Sequence, residues 1–272
     1  MRFVIVGSNG YIARRHVASI YALGHQVVGC YDPYDGAGWM DAYDKGIHFF
    51  KDDCAFIDWA MSAAQFDYAV ICSPNHTHFF WINTFLFMKK KVICEKPLVT
   101  TASALYALLN LPNINDVNCI LQLRLHPNYD LLPIDGDITM TYRLIRGSWY
   151  DQSWKGDHTK SGGLLLNFIH GVDCLLSKWG LASNYRIEEF PNQHSSMVHL
   201  EIDFANGKNG CLDVELSKSG TPIRQIRGAT KTVDFSTGFE NLHTKSYEEI
   251  LAGRGFKVRN CLPSLNLCLG VM

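Results

Sequence analysis

A short apolar run that breaks on a glycine turn and resumes as a helix constrains this chain from its first residues. Arg2-Phe3-Val4-Ile5-Val6, β-branched and aromatic, reads as a buried strand, and Gly7-Ser8-Asn9-Gly10-Tyr11-Ile12-Ala13 follows it. Over residues 11–23 the apolar positions Ile12, Ala13, Val17, Ile20 and Tyr21 recur at the spacing of a helix with one buried face. A strand, a tight turn and a helix whose N-terminal amides face that turn make an anion site. The spacing is Gly-x-x-Gly-x-x-Ala, which departs from the standard fingerprint. Gly7 makes the turn, Gly10 allows close approach of a pyrophosphate, and Ala13 replaces the packing glycine. Turns of this composition also join strands to helices in proteins that bind nothing there.

The second strand narrows the choice. Gln26-Val27-Val28-Gly29-Cys30-Tyr31 ends at Asp32, about twenty residues past the turn, where a carboxylate can accept hydrogen bonds from both hydroxyls of an adenosine ribose. That favours NAD over NADP, because a 2'-phosphate would meet a negative charge and no arginine follows Asp32 closely. The other reading is that Asp32 only opens the turn Asp32-Pro33-Tyr34-Asp35-Gly36, for which aspartate and proline are suited.

Alternation of strand and helix continues to about residue 120. Residues 67–72 form a strand ending at Ser73-Pro74-Asn75, and residues 76–88 a helix with Lys89, Lys90 and Lys91 at its C-terminal end. Val92-Ile93-Cys94 is the next strand, residues 101–111 a helix and residues 118–123 another strand. The pattern predicts an α/β fold: a Rossmann-type, doubly wound parallel sheet over residues 1–120, with ligands at the carboxyl ends of its strands, where Ser73, Asn75 and Lys96 fall. Residues 121–272 read as an α+β domain with a mainly antiparallel open sheet, since residues 138–145, 197–204 and 211–216 alternate polar with apolar. One helix is expected over residues 163–179, crossing between two layers.

Composition excludes several alternatives. A chain of 272 residues that is 47% hydrophobic can bury one large core or two modest ones. With 25 basic and 26 acidic residues it has no general attraction for nucleic acid or anionic lipid, so neither is expected as a partner. Nine cysteines, without a Cys-x-x-Cys pair, fit reduced thiols of a cytoplasmic protein better than disulfides or zinc, and no metal site is read. The first residues already form a core strand, so a signal peptide is not expected. The longest apolar stretch, residues 79–88, is too short to span a bilayer and contains Asn83.

The segments GSNGYIARRH from Gly7, CSPNHTH from Cys72, CEKPLV from Cys94, LQLRLH from Leu121, RGSWYDQSWKGD from Arg146 and GFENLHTKSYEEILAGRGF from Gly238 together resemble the Gfo/Idh/MocA oxidoreductase family over nearly the whole chain. The tryptophan-rich segment and Leu-His-Thr-x-x-Tyr resemble its nucleotide-sugar branch. This resemblance implies NAD as cofactor, held by Gly7, Asn9, Gly10, Tyr11, Ile12, Asp32, Ser73, Asn75, His78, Glu95 and Lys96. It implies that Lys96 hydrogen-bonds the reacting hydroxyl and that His170 is the base. The chemistry asks for such a pair, because removing hydride from a carbinol leaves a proton that a neutral imidazole can accept while an ammonium stabilises the developing alkoxide. A lone histidine on an apolar helix and a solvated strand-end lysine are the plainer readings of the same two residues. Relatives carry an asparagine or aspartate four residues before the histidine, whereas here Asn167 lies three before His170 and Leu166 four before. Both spacings share a helix face.

Arg124 and His126 follow a strand expected to end near the nicotinamide. Lys155 lies in a loop with Trp149, Tyr150 and Trp154, groups suited to stacking on uracil and pairing with a diphosphate or carboxylate. The alternative is an ordinary loop packed by its tryptophans, and His243 and Tyr247 are similar cases. The substrate-binding set is then Lys96, Arg124, Trp154, Lys155, Asn167 and His170. The expected reaction is NAD-dependent oxidation of the C3 hydroxyl of a UDP-linked 2-acetamido uronic acid to a 3-keto sugar, for surface-polysaccharide synthesis. A 2-oxo acid is the partner that could reoxidise NADH in place, and a homodimer or homotetramer is expected. Two alternatives stand beside this one: another sugar or cyclitol as substrate, and a degenerate NAD-binding regulator.

Overall fold

Six short strands with helices between them build the first of two units. They are β1 (Arg2–Val6), β2 (Gln26–Tyr31), β3 (His48–Phe50), β4 (Tyr68–Ile71), β5 (Lys91–Cys94) and β6 (Val117–Cys119). The helices are α1 (Ala13–Ala22), α2 (Asp53–Ser62), α3 (His78–Phe87) and α4 (Ala102–Leu109). All the pairings are parallel, in the order β3-β2-β1-β4-β5-β6. Phe3, Val4, Ile5 and Val6 are fully buried, as a parallel strand covered on both faces requires. The order reverses between β1 and β4, which puts Gly7 and Cys72-Ser73 side by side at the switch point where open α/β sheets hold ligands. The computed structural model describes residues 1–62, 65–133, 136–191 and 195–271.

The second unit is built on β7 (Ile138–Ile145), followed by α5 (Trp149–Gln152), α6 (His158–Ser161), α7 (Leu164–Asn167) and α8 (His170–Trp179). Then come β8 (Ala182–Pro191), β9 (Ser195–Phe204), β10 (Asn209–Ser217), β11 (Ile223–Arg227) and β12 (Thr232–Asp234). Their order is β12-β11-β7-β10-β9-β8. Every pairing is antiparallel except β7 with β10, which run parallel. The sheet is therefore mixed, mainly antiparallel. Met140, Leu200, Ile202, Leu212, Val214 and Ile226 point to one face and form a core with Val172, Leu175, Leu176 and Trp179 of α8. The polar members of the alternation, such as His199, Asp213 and Glu215, are only partly buried.

Two expectations need correction. The single helix over residues 163–179 is two helices, α7 and α8, with Phe168 and Ile169 between them. At the junction Ile169 N–H donates to the Leu166 carbonyl and Gly171 N–H to the Phe168 carbonyl, so bonds three residues apart tighten the turn and interrupt the α-helix. The chain also does not divide once near residue 120. The first unit comprises Met1–Val99, Ser103–Ile120 and His243–Asn260, because α9 (Leu242–Leu251) returns to it. Tyr247 and Ile250 of α9 join Phe3, Ile5, Val17, Ile20 and Val70 in its core. Cys119 N–H donates to the Phe256 carbonyl at 2.8 Å. The chain ends with α10 (Val258–Leu269), whose residues from Cys261 onward belong to the second unit. Among the described residues no helix is long and apolar enough to cross a membrane.

Candidate active site

In the first unit the glycine turn has the shape a pyrophosphate needs. Gly7 adopts φ +79, and a Cβ there would lie 2.6 Å from both N and Cα of Ser73, so only glycine fits. A Cβ on Gly10 would meet the Gly7 carbonyl at 3.2 Å. Gly7 N–H and Ser8 N–H donate to the Tyr31 carbonyl at 2.8 and 3.3 Å, fixing the turn to the end of β2. The first turn of α1 carries no acidic side chain and no side-chain cap, which leaves that helix end for an anion. Tyr11 is exposed and Ile12 partly buried along the turn.

Asp32 fulfils the plainer of its two readings and keeps capacity for the other. Its Oδ2 accepts from Asn9 N–H at 2.9 Å and its Oδ1 from Tyr34 N–H at 3.0 Å, while the Asn9 amide donates to the Tyr34 carbonyl. One carboxylate thus braces the glycine turn and the loop after β2, and each oxygen retains acceptor capacity for a ribose hydroxyl. These residues fit a dinucleotide. Asp32→Ala is expected to weaken NAD binding and narrow its advantage over NADP, since a charge-assisted bond of roughly 1.5–3 kcal/mol is lost. Titration with both cofactors checks this, and an unchanged preference would remove Asp32 from the ribose.

At the ends of β4 and β5 the side chains turn toward the protein. Ser73 Oγ pairs with Thr77 Oγ1 at 2.7 Å, and Asn75 is buried. The His78 ring lies between the Ser73 and Pro97 carbonyls at 2.8 and 2.7 Å, 1% exposed, with burial lowering its pKa against the support of both carbonyls. Expected as a cofactor ligand, His78 here ties the switch point to the segment after β5. That segment holds Glu95, half-buried Lys96 and a cis Lys96–Pro97 bond. Glu95 Oε1 faces the Nε2 atoms of His16 and His243 at 3.0 and 3.1 Å. His16, inside a quoted motif, was given no role by the sequence. His243 and Tyr247, grouped there with the substrate loop, are buried in the first unit on one face of α9, and their four-residue spacing on a helix was the available signal.

Acid should destabilise the protein through His16. Burial lowers its folded pKa below the ordinary 6.5, so as pH falls through 6.5 the unfolded chain takes up a proton that the folded one refuses. The stabilisation is present above 6.5 and lost below it. Glu95, held well below its ordinary value by its histidine partners against the opposing effect of burial, adds a loss of the same sign below pH 4.5. Urea midpoints should therefore decline from pH 7 to pH 5 and further below. A flat profile over the first interval would contradict a buried neutral His16.

In the second unit, His170 is half-buried at the first position of α8, and Asn167 closes α7, so the two do not share one helix. Asn167 Nδ2 donates to the Tyr150 hydroxyl at 2.7 Å. Arg124, expected to meet substrate, forms a bidentate pair with Asp173 of α8: Nε to Oδ2 at 2.8 Å and Nη2 to Oδ1 at 2.7 Å. It therefore braces the helix that begins at His170. His126 faces the Thr237 carbonyl through Nε2 at 2.6 Å and accepts from Asn128 N–H through Nδ1, a structural position. The aromatic loop does gather its cation: Lys155 Nζ lies 5.0 Å from the Trp154 ring centroid and 5.8 Å from that of Trp149. Burial and Arg146 lower the Lys155 pKa. Lys96 belongs to the first unit and His170 to the second.

A parallel sheet in this strand order, with a glycine turn and a strand-end acid at its switch point, defines a dinucleotide-binding domain. The model of an oxidoreductase family with an NAD-binding Rossmann fold matches residues 1–122. The WlbA (WbpB) dehydrogenase from Thermus thermophilus, solved with NAD and alpha-ketoglutarate, is 30% identical with a TM-score of 0.87, over 100% of this chain and 94% of that one. Its complex with NAD and UDP-GlcNAcA gives 30% and 0.86, over 99% and 94%. The WlbA dehydrogenase from Bordetella pertussis, solved with NADH and UDP-GlcNAcA, shares the fold at 17% identity and TM-score 0.78, over 100% and 94%. The chain belongs to the Gfo/Idh/MocA family of NAD-dependent oxidoreductases.

Proposed function

We propose that this protein oxidises the C3 hydroxyl of UDP-N-acetylglucosaminuronic acid to the 3-keto sugar with NAD. The observation that carries the reading is the 30% identity, over nearly all of both chains, to a dehydrogenase solved with NAD and UDP-GlcNAcA. The Lys155, Trp149 and Trp154 cluster supports it, because a cation among aromatic faces suits a uracil diphosphate. Lys96 hydrogen-bonds the reacting hydroxyl and steadies the oxygen as charge develops. His170 takes the hydroxyl proton. The bound cofactor supplies the acceptor for the hydride that leaves C3, and Gly7, Gly10 and Asp32 hold it. Asn167, whose amide donates to the Tyr150 hydroxyl, joins the groups that contact the sugar.

The product is a substrate for an aminotransferase in surface-polysaccharide synthesis, in the cytoplasm, a compartment consistent with nine free thiols. The alpha-ketoglutarate complex of the Thermus relative supports in-place reoxidation of NADH by a 2-oxo acid, which becomes the 2-hydroxy acid. A panel of UDP-sugars tested for NAD reduction, with and without a 2-oxo acid, decides the substrate. Turnover of a different sugar or cyclitol would overturn the reading, and NAD binding without any turnover would favour a degenerate regulator. The partly exposed face of the second sheet supplies a surface for self-association, so a homodimer or homotetramer is expected. Light scattering at micromolar concentration checks it, and monomer alone would contradict it.

A further inference from the structure

Within the first unit the Glu95 carboxylate ends a chain of hydrogen bonds that the reaction described above does not use. The Tyr247 hydroxyl donates to His16 Nδ1 at 2.9 Å, His16 Nε2–H donates to Glu95 Oε1 at 3.0 Å, and His243 Nε2–H donates to the same oxygen at 3.1 Å. The directions are forced. An ionised carboxylate only accepts, so both imidazoles carry a proton on Nε2; in the neutral His16 that burial favours, this leaves a lone pair on Nδ1, to which Tyr247 donates. His16 and Tyr247 are fully buried, His243 is 3% exposed and Glu95 8%. The His16 ring stands nearly edge-on to those of His243 and Tyr247, at 4.9 and 5.7 Å between centroids. Burial opposes the Glu95 charge, but the two histidine bonds outweigh it and hold the pKa well below the carboxylate range. Burial likewise lowers that of His16 and raises that of Tyr247 well above the phenol range.

The partners come from separate places: α1 just beyond the glycine turn, the residue after β5, and α9. In this strand order β2 with Asp32 lies on the adenosine side of the switch point, and β4 and β5 on the other, so Glu95 stands on the nicotinamide side, next to Lys96. We propose that His16, His243 and Tyr247 are positioning residues of the cofactor site, which lock Oε1 of Glu95 and so aim Oε2 and the adjoining Lys96 backbone for the nicotinamide half of NAD. Preorganisation of this kind raises affinity by removing the cost of ordering an acceptor when the ligand arrives. His16, Glu95 and His243 also bring ligand atoms within 4.8 Å of one another, close enough for a cation. The hydrogen-bond chain accounts for every proton and lone pair named above without one. The proposal rests on NAD binding and is independent of which sugar is oxidised.

The test is NAD affinity of purified full-length protein, read by fluorescence titration with no sugar present, beside thermal midpoints and metal content. His243→Leu should bind NAD about tenfold more weakly, the scale of one charge-assisted hydrogen bond. His243→Gln, whose amide N–H can take the place of Nε2–H, should recover most of that affinity, a rescue that a packing role would not give. Tyr247→Phe keeps the ring and its volume but loses the relayed bond, and should fall between the two. Wild-type NAD affinity in folded His243→Leu, or equal losses in the Leu and Gln variants, would overturn the proposal. So would a stoichiometric metal in the wild-type protein whose chelation abolishes NAD binding. If His243→Leu does not fold, unchanged affinity in Tyr247→Phe overturns the proposal and weakened affinity at an unchanged thermal midpoint supports it.

Discussion

Replacing Lys96 by methionine, or His170 by asparagine, is expected to lower turnover by roughly a hundredfold or more, the usual scale for a positioned acid or base. NAD affinity should stay near that of the parent in His170→Asn, because the glycine turn and Asp32 lie in the first unit and His170 in the second. Methionine keeps the length of the lysine stem while removing the ammonium, so Lys96→Met tests charge at constant packing. Steady-state kinetics with the sugar identified by the UDP-sugar panel, beside cofactor titration and circular dichroism, give the readout. A folded His170→Asn enzyme with near-parental turnover would make His170 a residue of the α8 start and nothing more. The base would then have to be another group.

Asp173→Ala should be the most destabilising change in the second unit. Its carboxylate, 2% exposed, holds both Nε and Nη2 of Arg124, whose side chain is 16% exposed, and Ser264 Oγ lies 3.4 Å from Oδ1. Removing one partner leaves a mostly buried guanidinium without its counter-charge, a loss of about 3–5 kcal/mol. Because Asp173 sits in the first turn of α8, turnover should fall as well. Arg124→Met combined with Asp173→Leu should recover much of the stability, since an apolar pair carries no desolvation penalty. Urea unfolding of the single and double variants separates the two outcomes: a double variant no more stable than Asp173→Ala would mean that the pair's geometry, and not its charge, holds α8.

Parts of this architecture were legible because burial writes them into local sequence. Val4, Ile5 and Val6 before Gly7, and Val92-Ile93-Cys94 before Glu95, are continuous apolar runs, which is what a parallel strand covered on both faces must be. Gly7 was legible because no other residue fits against Ser73. What escaped depends on partners distant in the chain. Three-residue β3 is too short to carry a period, and β8 is largely polar, so neither announces itself. The parallel pairing of β7 with β10 leaves no trace in either strand's alternation. The interruption before His170 arises from a change of hydrogen-bond spacing, while the apolar periodicity of residues 164–176 runs through it unbroken. The pairing of Arg124 with Asp173 could not be read either, because the sequence neighbours of Arg124 say nothing of a bond made across the fold.

The return of α9 to the first unit sets an order of events during synthesis. A ribosome releases the chain from its N-terminus, and domains commonly fold as they emerge. Here the six parallel strands are complete by Cys119, yet Tyr247 and Ile250, which fill their core, follow only after every strand of the second sheet has been made. The unit that emerges first is thus among the last to be finished. A nascent chain stalled before His243 would present a Rossmann sheet with an open seam and a Glu95 supported by His16 alone. If the Glu95 support proposed above holds, such a chain would keep the glycine turn and Asp32 but bind dinucleotide more weakly until His243 and Tyr247 arrive.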